Sequence, residues 1–315
     1  MQYSEVHGYT LSKLTLGTVA LGLDYGISND KAKPGRKDSF DILSRALDLG
    51  INTLDTASSY GNAEQLIGDL LQDRLLPHQR INIVTKFKIS AANVSNKERL
   101  RKEVYDSLRS SLGYLRLQRV PFCLFHMDRN LPMDEVLKVL PSILSDLKHD
   151  GLIDIGGVSA DHPGEVGSFL EYPVVEAIQV PMNIFDLRLI KSGMLERMHA
   201  SDKIVFVRSV FLQGLFFMPP DGLKGNLAGA AAYIRILQKL AKEANMSIAQ
   251  LAFSYIRDLS GISSIVFGAV NAQQVEQNIE LLQGNAVNAE VGESIRSLFD
   301  NVPEHIITPG LWSYK

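Results

Sequence analysis

The sequence predicts an α/β fold, a (β/α)8 barrel of the TIM type, on three observations. Short β-branched or apolar runs alternate with longer segments of helical period, the signature of repeated βα units and of neither a sandwich nor a bundle. Eight such runs can be counted, the number that closes this barrel. Asp55, Lys86 and His126 each end one of three consecutive runs, and Tyr60 stands in the Gly-rich turn after the first of them. Barrels of this type carry their chemistry in the loops at the C-terminal ends of the strands, so these four residues mark where a site belongs.

The predicted strands centre on Leu14 to Thr18, Asn52 to Ala57, Asn82 to Phe87, Pro121 to His126, Ile153 to Ser159, Val175 to Val180, Ile204 to Ser209 and Ile262 to Gly268. Segments of helical period follow them, including Ser39 to Leu49, Glu64 to Leu71, Lys97 to Leu112, Met133 to Lys148 and Ala231 to Asn245. Ahead of the first strand, Tyr3 to Leu11 reads as a short N-terminal β-hairpin capping the barrel floor, with His7-Gly8 as its turn. After the eighth strand, Ala272 to Leu282 has helical period, Ala289 to Phe299 adds an extra C-terminal helix, and His305 to Lys315 is an irregular tail. No Ser/Gly-rich or Pro-rich tract divides the chain, so residues 1–315 are expected to form one barrel domain.

With 315 residues the chain is long enough to bury a substantial core. Its formal charge of −3 is too slight to suit a polyanion, so nucleic acid is not an expected partner. No apolar run approaches the roughly 18 residues a membrane-spanning helix needs, and the N-terminus has no apolar stretch flanked by Lys or Arg. A cytoplasmic, unsecreted protein is the expectation. The single Cys123 cannot form an internal disulfide, which fits a reducing compartment, and its apolar strand neighbours make it a core residue. The histidines are dispersed and none pairs with a carboxylate on one helical face, so no metal site is expected. Leu16 to Gly22 has the wrong glycine spacing for a Rossmann fingerprint.

The run Gly50-Ile51-Asn52-Thr53-Leu54-Asp55-Thr56-Ala57-Ser58-Ser59-Tyr60-Gly61-Asn62-Ala63-Glu64, with Lys86 and His126 at the ends of the next two strands, resembles the aldo-keto reductases. The likeness runs from about Leu14 to the final helices. Taken singly, Asp55 reads equally as a helix cap, Tyr60 as a loop anchor, Lys86 as a solvated strand end and His126 as a packed core histidine. Their joint order and strand-end placement favour a catalytic set. The resemblance implies a nicotinamide-dependent oxidoreductase that interconverts an aldehyde or ketone and its alcohol. Carbonyl reduction needs a hydride on carbon and a proton on oxygen. A free phenol, with a pKa of about 10, becomes a better acid beside an ammonium that stabilises phenolate. Tyr60 is thereby implied as general acid/base with Lys86 beside it, Asp55 as the partner of Lys86, and His126 as a hydrogen-bond donor to the substrate oxygen.

Further segments resemble the family's cofactor contacts and imply NADP or NAD. Gly157-Val158-Ser159-Ala160 resembles the segment that holds the nicotinamide carboxamide, with Gln179 as a third contact; Ala160 stands where Asn is usual. In Val207 to Leu215, Arg208 occupies the place of a stacking residue, where its planar guanidinium suits either a ring or a substrate anion. Ser209, Phe211, Gln213 and Gly214 are implied pyrophosphate contacts, and Gly17, Thr18, Val19 and Asp55 are also counted with the cofactor site. Gly268, Ala269, Val270, Gln274 and Asn278 lie in the turn that resembles the adenosine site, where a helix N-terminus suits a phosphate. Family members that prefer NADP usually carry Lys or Arg where Val270 and Gln274 stand, so weaker NADP discrimination is expected and the choice between NADP and NAD stays open at this stage.

The expected partner is a small-molecule carbonyl or alcohol. Asp128, Arg129 and Asn130, together with Phe216 to Asn226 and the tail near Trp312, suit a hydroxylated or anionic substrate such as a sugar or keto-sugar. Two other readings stay open at this stage. One is a non-catalytic dinucleotide-binding partner subunit, and the other a barrel isomerase or aldolase using Lys86 as base or Schiff-base former.

Overall fold

The computed structural model describes residues 1–27, 33–73, 81–128 and 130–313. Arg129, expected near the substrate, lies outside the described residues, as do the last two residues of the tail.

The N-terminal hairpin is present as β1 (Tyr3–Val6) and β2 (Tyr9–Ser12), antiparallel with Val6 opposite Tyr9. Its turn residues His7 and Gly8 have φ of 46° and 80°. Left-handed backbone at both positions is what a two-residue hairpin turn matched to strand twist requires. Eight parallel strands then close a barrel: β3 (Leu14–Gly17), β4 (Thr53–Asp55), β5 (Asn82–Phe87), β6 (Val120–His126), β7 (Ile153–Ser159), β8 (Ala177–Pro181), β9 (Ile204–Arg208) and β10 (Ser264–Gly268). β10 pairs with both β9 and β3, so the sheet has no edge.

Inside the barrel, Leu11, Val84, Phe122, Leu124, Ile155, Ala177, Ile204, Phe206 and Val266 form one buried cluster, with Val6 and Tyr9 packed on it. The Tyr9 ring centre lies 4.9 Å from that of Phe122, and its hydroxyl donates to Asp154 Oδ2 at 2.6 Å. At roughly 1.5–3 kcal/mol per buried large apolar side chain, this contact holds the hairpin as a floor. The floor closes the N-terminal end of the barrel and leaves the C-terminal end open.

Helices cover the outside. In Met133–His149 the buried residues Val136, Val139, Leu140, Ile143, Leu144 and Leu147 recur at three- and four-residue steps, making one apolar stripe. The Asn96 side chain caps Lys97–Leu115 by accepting from Arg99 N. The extra C-terminal helix is Ala289–Leu298. The helix Ile248–Arg257, capped by the Ser247 side chain accepting from Gln250 N, precedes β10 and buries Leu251 to Ile256. Among the described residues no helix is long and apolar enough to cross a membrane.

Candidate active site

Asp55 closes β4 and is 4% exposed. Lys86, on β5, is 1% exposed, and its Nζ donates to Asp55 Oδ1 at 2.7 Å and to Thr56 O at 2.9 Å. An unpaired ammonium at this depth would be strongly destabilising; a carboxylate and a carbonyl offset its desolvation. The same Nζ lies 5.0 Å from the centre of the Tyr60 ring. His126, ending β6, stands edge-on to Tyr60 with ring centres 6.3 Å apart and planes at 89°. The four residues named from the sequence are therefore brought together.

Tyr60 is held by a close backbone approach that the sequence did not reveal. A Cβ on Gly22 would fall far inside the Tyr60 carbonyl oxygen, and one on Gly61 (φ 57°) would strike the Gly22 carbonyl. Only two glycines let the segment after β3 press against the Tyr60 turn. Burial first, then the positive charges of Lys86, Arg208 and Lys88, push the His126 imidazole down to about 3 from its ordinary 6.5. The ring is thus neutral at pH 7. His126 Nδ1 is buried without a partner. An unpaired acceptor is cheaper to bury than an unpaired N–H, so the proton belongs on Nε2, where it can donate.

A chain of hydrogen bonds backs the set. Ser159 Oγ donates to Gln179 Oε1 at 2.9 Å, and Gln179 Nε2 donates to Asp55 Oδ1 at 2.7 Å. On the other side, Glu64 is 4% exposed and accepts from Thr85 Oγ1 at 2.5 Å. Burial raises its carboxyl, opposed by hydrogen bonds from Thr85 and Ser111 and by the charge of Lys86.

Asp55 and Tyr60 line a cleft of about 730 Å³ across the barrel mouth. Of the residues expected to touch the cofactor, Gly17, Val19, Arg208, Ser209, Phe211, Gln213, Gly214, Gly268, Ala269, Val270, Gln274 and Asn278 line it too. Thr18, Ser159 and Gln179 are not on its wall. Thr18 Oγ1 is spent on Asp55 O at 3.0 Å, and the other two on the chain just described. After β9 the backbone is left-handed at Ser209 (φ 65°), Leu212 (48°) and Gln213 (52°) as well as at Gly214. Non-glycine residues in that region cost about 1–3 kcal/mol each and cluster at ligand sites. Ile27 N donates to Gln213 O at 3.2 Å, so the loop after β3 reaches the loop after β9. Tyr25, from that loop, also lines the cleft and was not foreseen.

At the far end of the cleft, Asn271 caps Ala272–Gln283 and Gln274 Oε1 accepts from Val270 N at 2.9 Å. Asn278 donates to Gln274 O, while its Oδ1 is buried and unpaired, an acceptor awaiting a donor. Glu280 lines this end, and among the described lining residues Arg208 is the one Lys or Arg.

Arg208 donates to Ala160 O at 3.1 Å and pairs with Asp161. It and Gln213 also line a second cavity of about 370 Å³, which holds Lys88, His126, Asp128, Asn130, Asp161 and Thr308 on its wall. The two cavities therefore share a wall at Arg208 and Gln213, with Tyr60 on the larger and His126 on the smaller. Trp312 lines neither; its Nε1 donates to Ile306 O at 3.0 Å and its ring packs on the core. Phe216 is buried against Phe185 with ring centres 4.8 Å apart, whereas Phe217 is on the cleft wall. Among the described residues no group of three or more His, Cys, Asp or Glu is placed to hold a metal ion.

The model of the aldo/keto reductase family matches residues 13–299. The chain is 26% identical over 311 residues to the NADH-specific methylglyoxal reductase of Escherichia coli (strain K12), covering 89% of this chain and 93% of that one. It is 25% identical over 304 residues to the L-glyceraldehyde 3-phosphate reductase of the same organism, covering 86% and 85% of the two chains. Among solved structures, an aldo-keto reductase of Bacillus halodurans in its holo form superposes with a TM-score of 0.74 at 23% identity, covering 95% of this chain and 96% of that one.

Proposed function

The chain belongs to the aldo/keto reductase family, and from that membership we propose that Tyr60 is the proton donor in a carbonyl reduction run on NADH. The protein is a nicotinamide-dependent oxidoreductase interconverting an aldehyde or ketone and its alcohol. The observation that carries the reading is that Tyr60, on the wall of the larger cavity, stands edge-on to His126, on the wall of the smaller. A dinucleotide fits the larger cleft, whose Asn278 Oδ1 is buried and unpaired. Arg208, Ser209, Gln213 and Gly214 would hold its middle, and Val270, Gln274 and Asn278 its adenosine end. When bound, it supplies a hydride.

In this reading Tyr60 gives its phenolic proton to the carbonyl oxygen, and solvent restores it after the alcohol leaves. Lys86, fixed on Asp55, stabilises the phenolate left behind. Neutral His126 orients the carbonyl by donating through Nε2 and stabilises the negative charge that develops on its oxygen. Glu280 in the cleft and the uncharged residues at 270 and 274 favour a free ribose hydroxyl over a 2′-phosphate, which supports NADH. The smaller cavity suits a short aldehyde or ketone bearing hydroxyl groups.

The isomerase or aldolase alternative is disfavoured by Lys86 itself. Its side chain is fully buried, two of its N–H bonds are taken, and it lines neither cavity. The partner-subunit alternative has no need of the assembled set. The test is a calorimetric titration with NADH and NADPH in parallel, followed by turnover of methylglyoxal and glyceraldehyde. Tighter NADH binding with turnover is expected; binding of neither dinucleotide contradicts the reading.

A further inference from the structure

The smaller cavity carries polar groups that reduction of a carbonyl does not use. Lys88 lies just beyond the end of β5, exposed on the wall, and makes no hydrogen bond or ion pair with any described residue. Thr308, which follows the helix Glu304–Ile307 and lines the same cavity, is 4% exposed and its hydroxyl oxygen has no hydrogen-bond partner. Arg208 completes the cationic side, held in place by Asp161 and Ala160 O. Two carboxylates also stand on this wall. Asp161 is charge-paired with Arg208, whereas Asp128 Oδ1 accepts from Asn130 N at 2.9 Å and from its Nδ2 at 2.8 Å, neutral donors that leave the Asp128 charge in place.

Among the described residues, the donor capacity left on this wall beyond His126 includes the Lys88 ammonium and the Thr308 hydroxyl, beside a guanidinium with donors to spare. We propose that this wall is an anion subsite, in which Lys88, Arg208 and Thr308 receive a carboxylate or phosphate carried by the carbonyl substrate. Lys88 acts as a point charge, Arg208 as a planar donor and Thr308 as a hydrogen-bond donor. The subsite rests on the reading that Tyr60 and His126 flank the reacting carbonyl, since it defines where the rest of the substrate extends. Independently of any ligand, Lys88 and Arg208 are among the charges that disfavour a cationic His126, which places the positive field of this wall at the reacting end as well.

The test compares matched substrates on the full chain with NADH: glyceraldehyde 3-phosphate against glyceraldehyde, and succinic semialdehyde against butanal. In at least one pair the anionic member is expected to have a kcat/KM about tenfold higher or more, expressed in KM, the range expected of a charge-assisted hydrogen bond. The preference should shrink as salt is raised, because Lys88 is exposed. A preference in the phosphate pair alone assigns a phosphate; one in the carboxylate pair alone assigns a carboxylate. Lys88→Met should reduce the ratio about tenfold, Lys88→Arg should retain most of it, and Thr308→Val should lower it severalfold. Equal kcat/KM within both pairs, or a preference that survives Lys88→Met, overturns the subsite while leaving carbonyl reduction in place. Absence of turnover of all four with either dinucleotide overturns both.

Discussion

Gln179 donates to the Asp55 carboxylate at 2.7 Å, on the same Oδ1 that accepts Lys86 Nζ at 2.7 Å. A side chain from β8 thus shares the oxygen that fixes the lysine on β5. Asp55 is held from both sides of the barrel interior, and Ser159 sets which end of the Gln179 amide faces it.

Gln179→Leu removes that donor and leaves Ser159 without its acceptor. A hydrogen bond to a charged group is worth roughly 1.5–3 kcal/mol, so kcat/KM should fall about tenfold or more, with a lower melting temperature. Steady-state kinetics and a thermal melt check this; wild-type kcat/KM in the variant would show that Asp55 is held without Gln179.

Gly22→Ala should damage catalysis from outside the chemistry. The new methyl collides with the Tyr60 carbonyl, overpacking that costs about 1–3 kcal/mol, and a displacement near 1 Å in a reacting group costs about 100-fold in rate. Gly113→Ala, where a Cβ meets nothing within 4 Å, is the control. It lies in the helix Lys97–Leu115 and should gain about 0.5–1 kcal/mol. Activity and denaturant unfolding of both variants distinguish the two positions.

His126 sets an acid-side stability loss. Its imidazole is held down to about 3 in the fold against an ordinary 6.5, so between those values the unfolded chain binds a proton that the folded one does not. Stability from this group is complete above pH 6.5 and is lost as pH falls toward 3, by at most about 1.4 kcal/mol per pH unit. Unfolding measured from pH 7 to pH 4 should steepen in wild type relative to His126→Gln. Parallel curves would place the imidazole in a more open setting.

Cofactor choice should be movable at the far end of the cleft. Val270→Lys combined with Glu280→Gln replaces an apolar group and a carboxylate with a cation and an amide, which suits a 2′-phosphate. The ratio of kcat/KM for NADPH over NADH should rise about tenfold or more. An unchanged ratio would mean that the ribose lies elsewhere.

Much of this was legible in the sequence because the relevant signals are local. β5 and β7 have the bounds their apolar runs suggest, and Asp55, Lys86 and His126 could be placed because each ends such a run. The hairpin turn was readable from His7-Gly8. What escaped depends on contacts distant in sequence. Gly22 matters only because Tyr60 arrives against it, and the partner of Arg208 is Asp161, 47 residues away. Tyr25 and Lys88 are ordinary loop residues until the barrel closes and puts them on cavity walls. Ser159 and Gln179 were placed on the right strands, but nothing local says that their polar ends are turned toward Asp55.

The most direct test is carbonyl reduction by Tyr60→Phe, measured alongside calorimetric binding of NADH. The substitution removes the phenolic proton and keeps the ring that packs between Lys86 and His126. NADH should still bind, while kcat falls about 100-fold to 10,000-fold, the scale of a lost general acid. Wild-type turnover in the variant would contradict the account, because the proton would then come from another group.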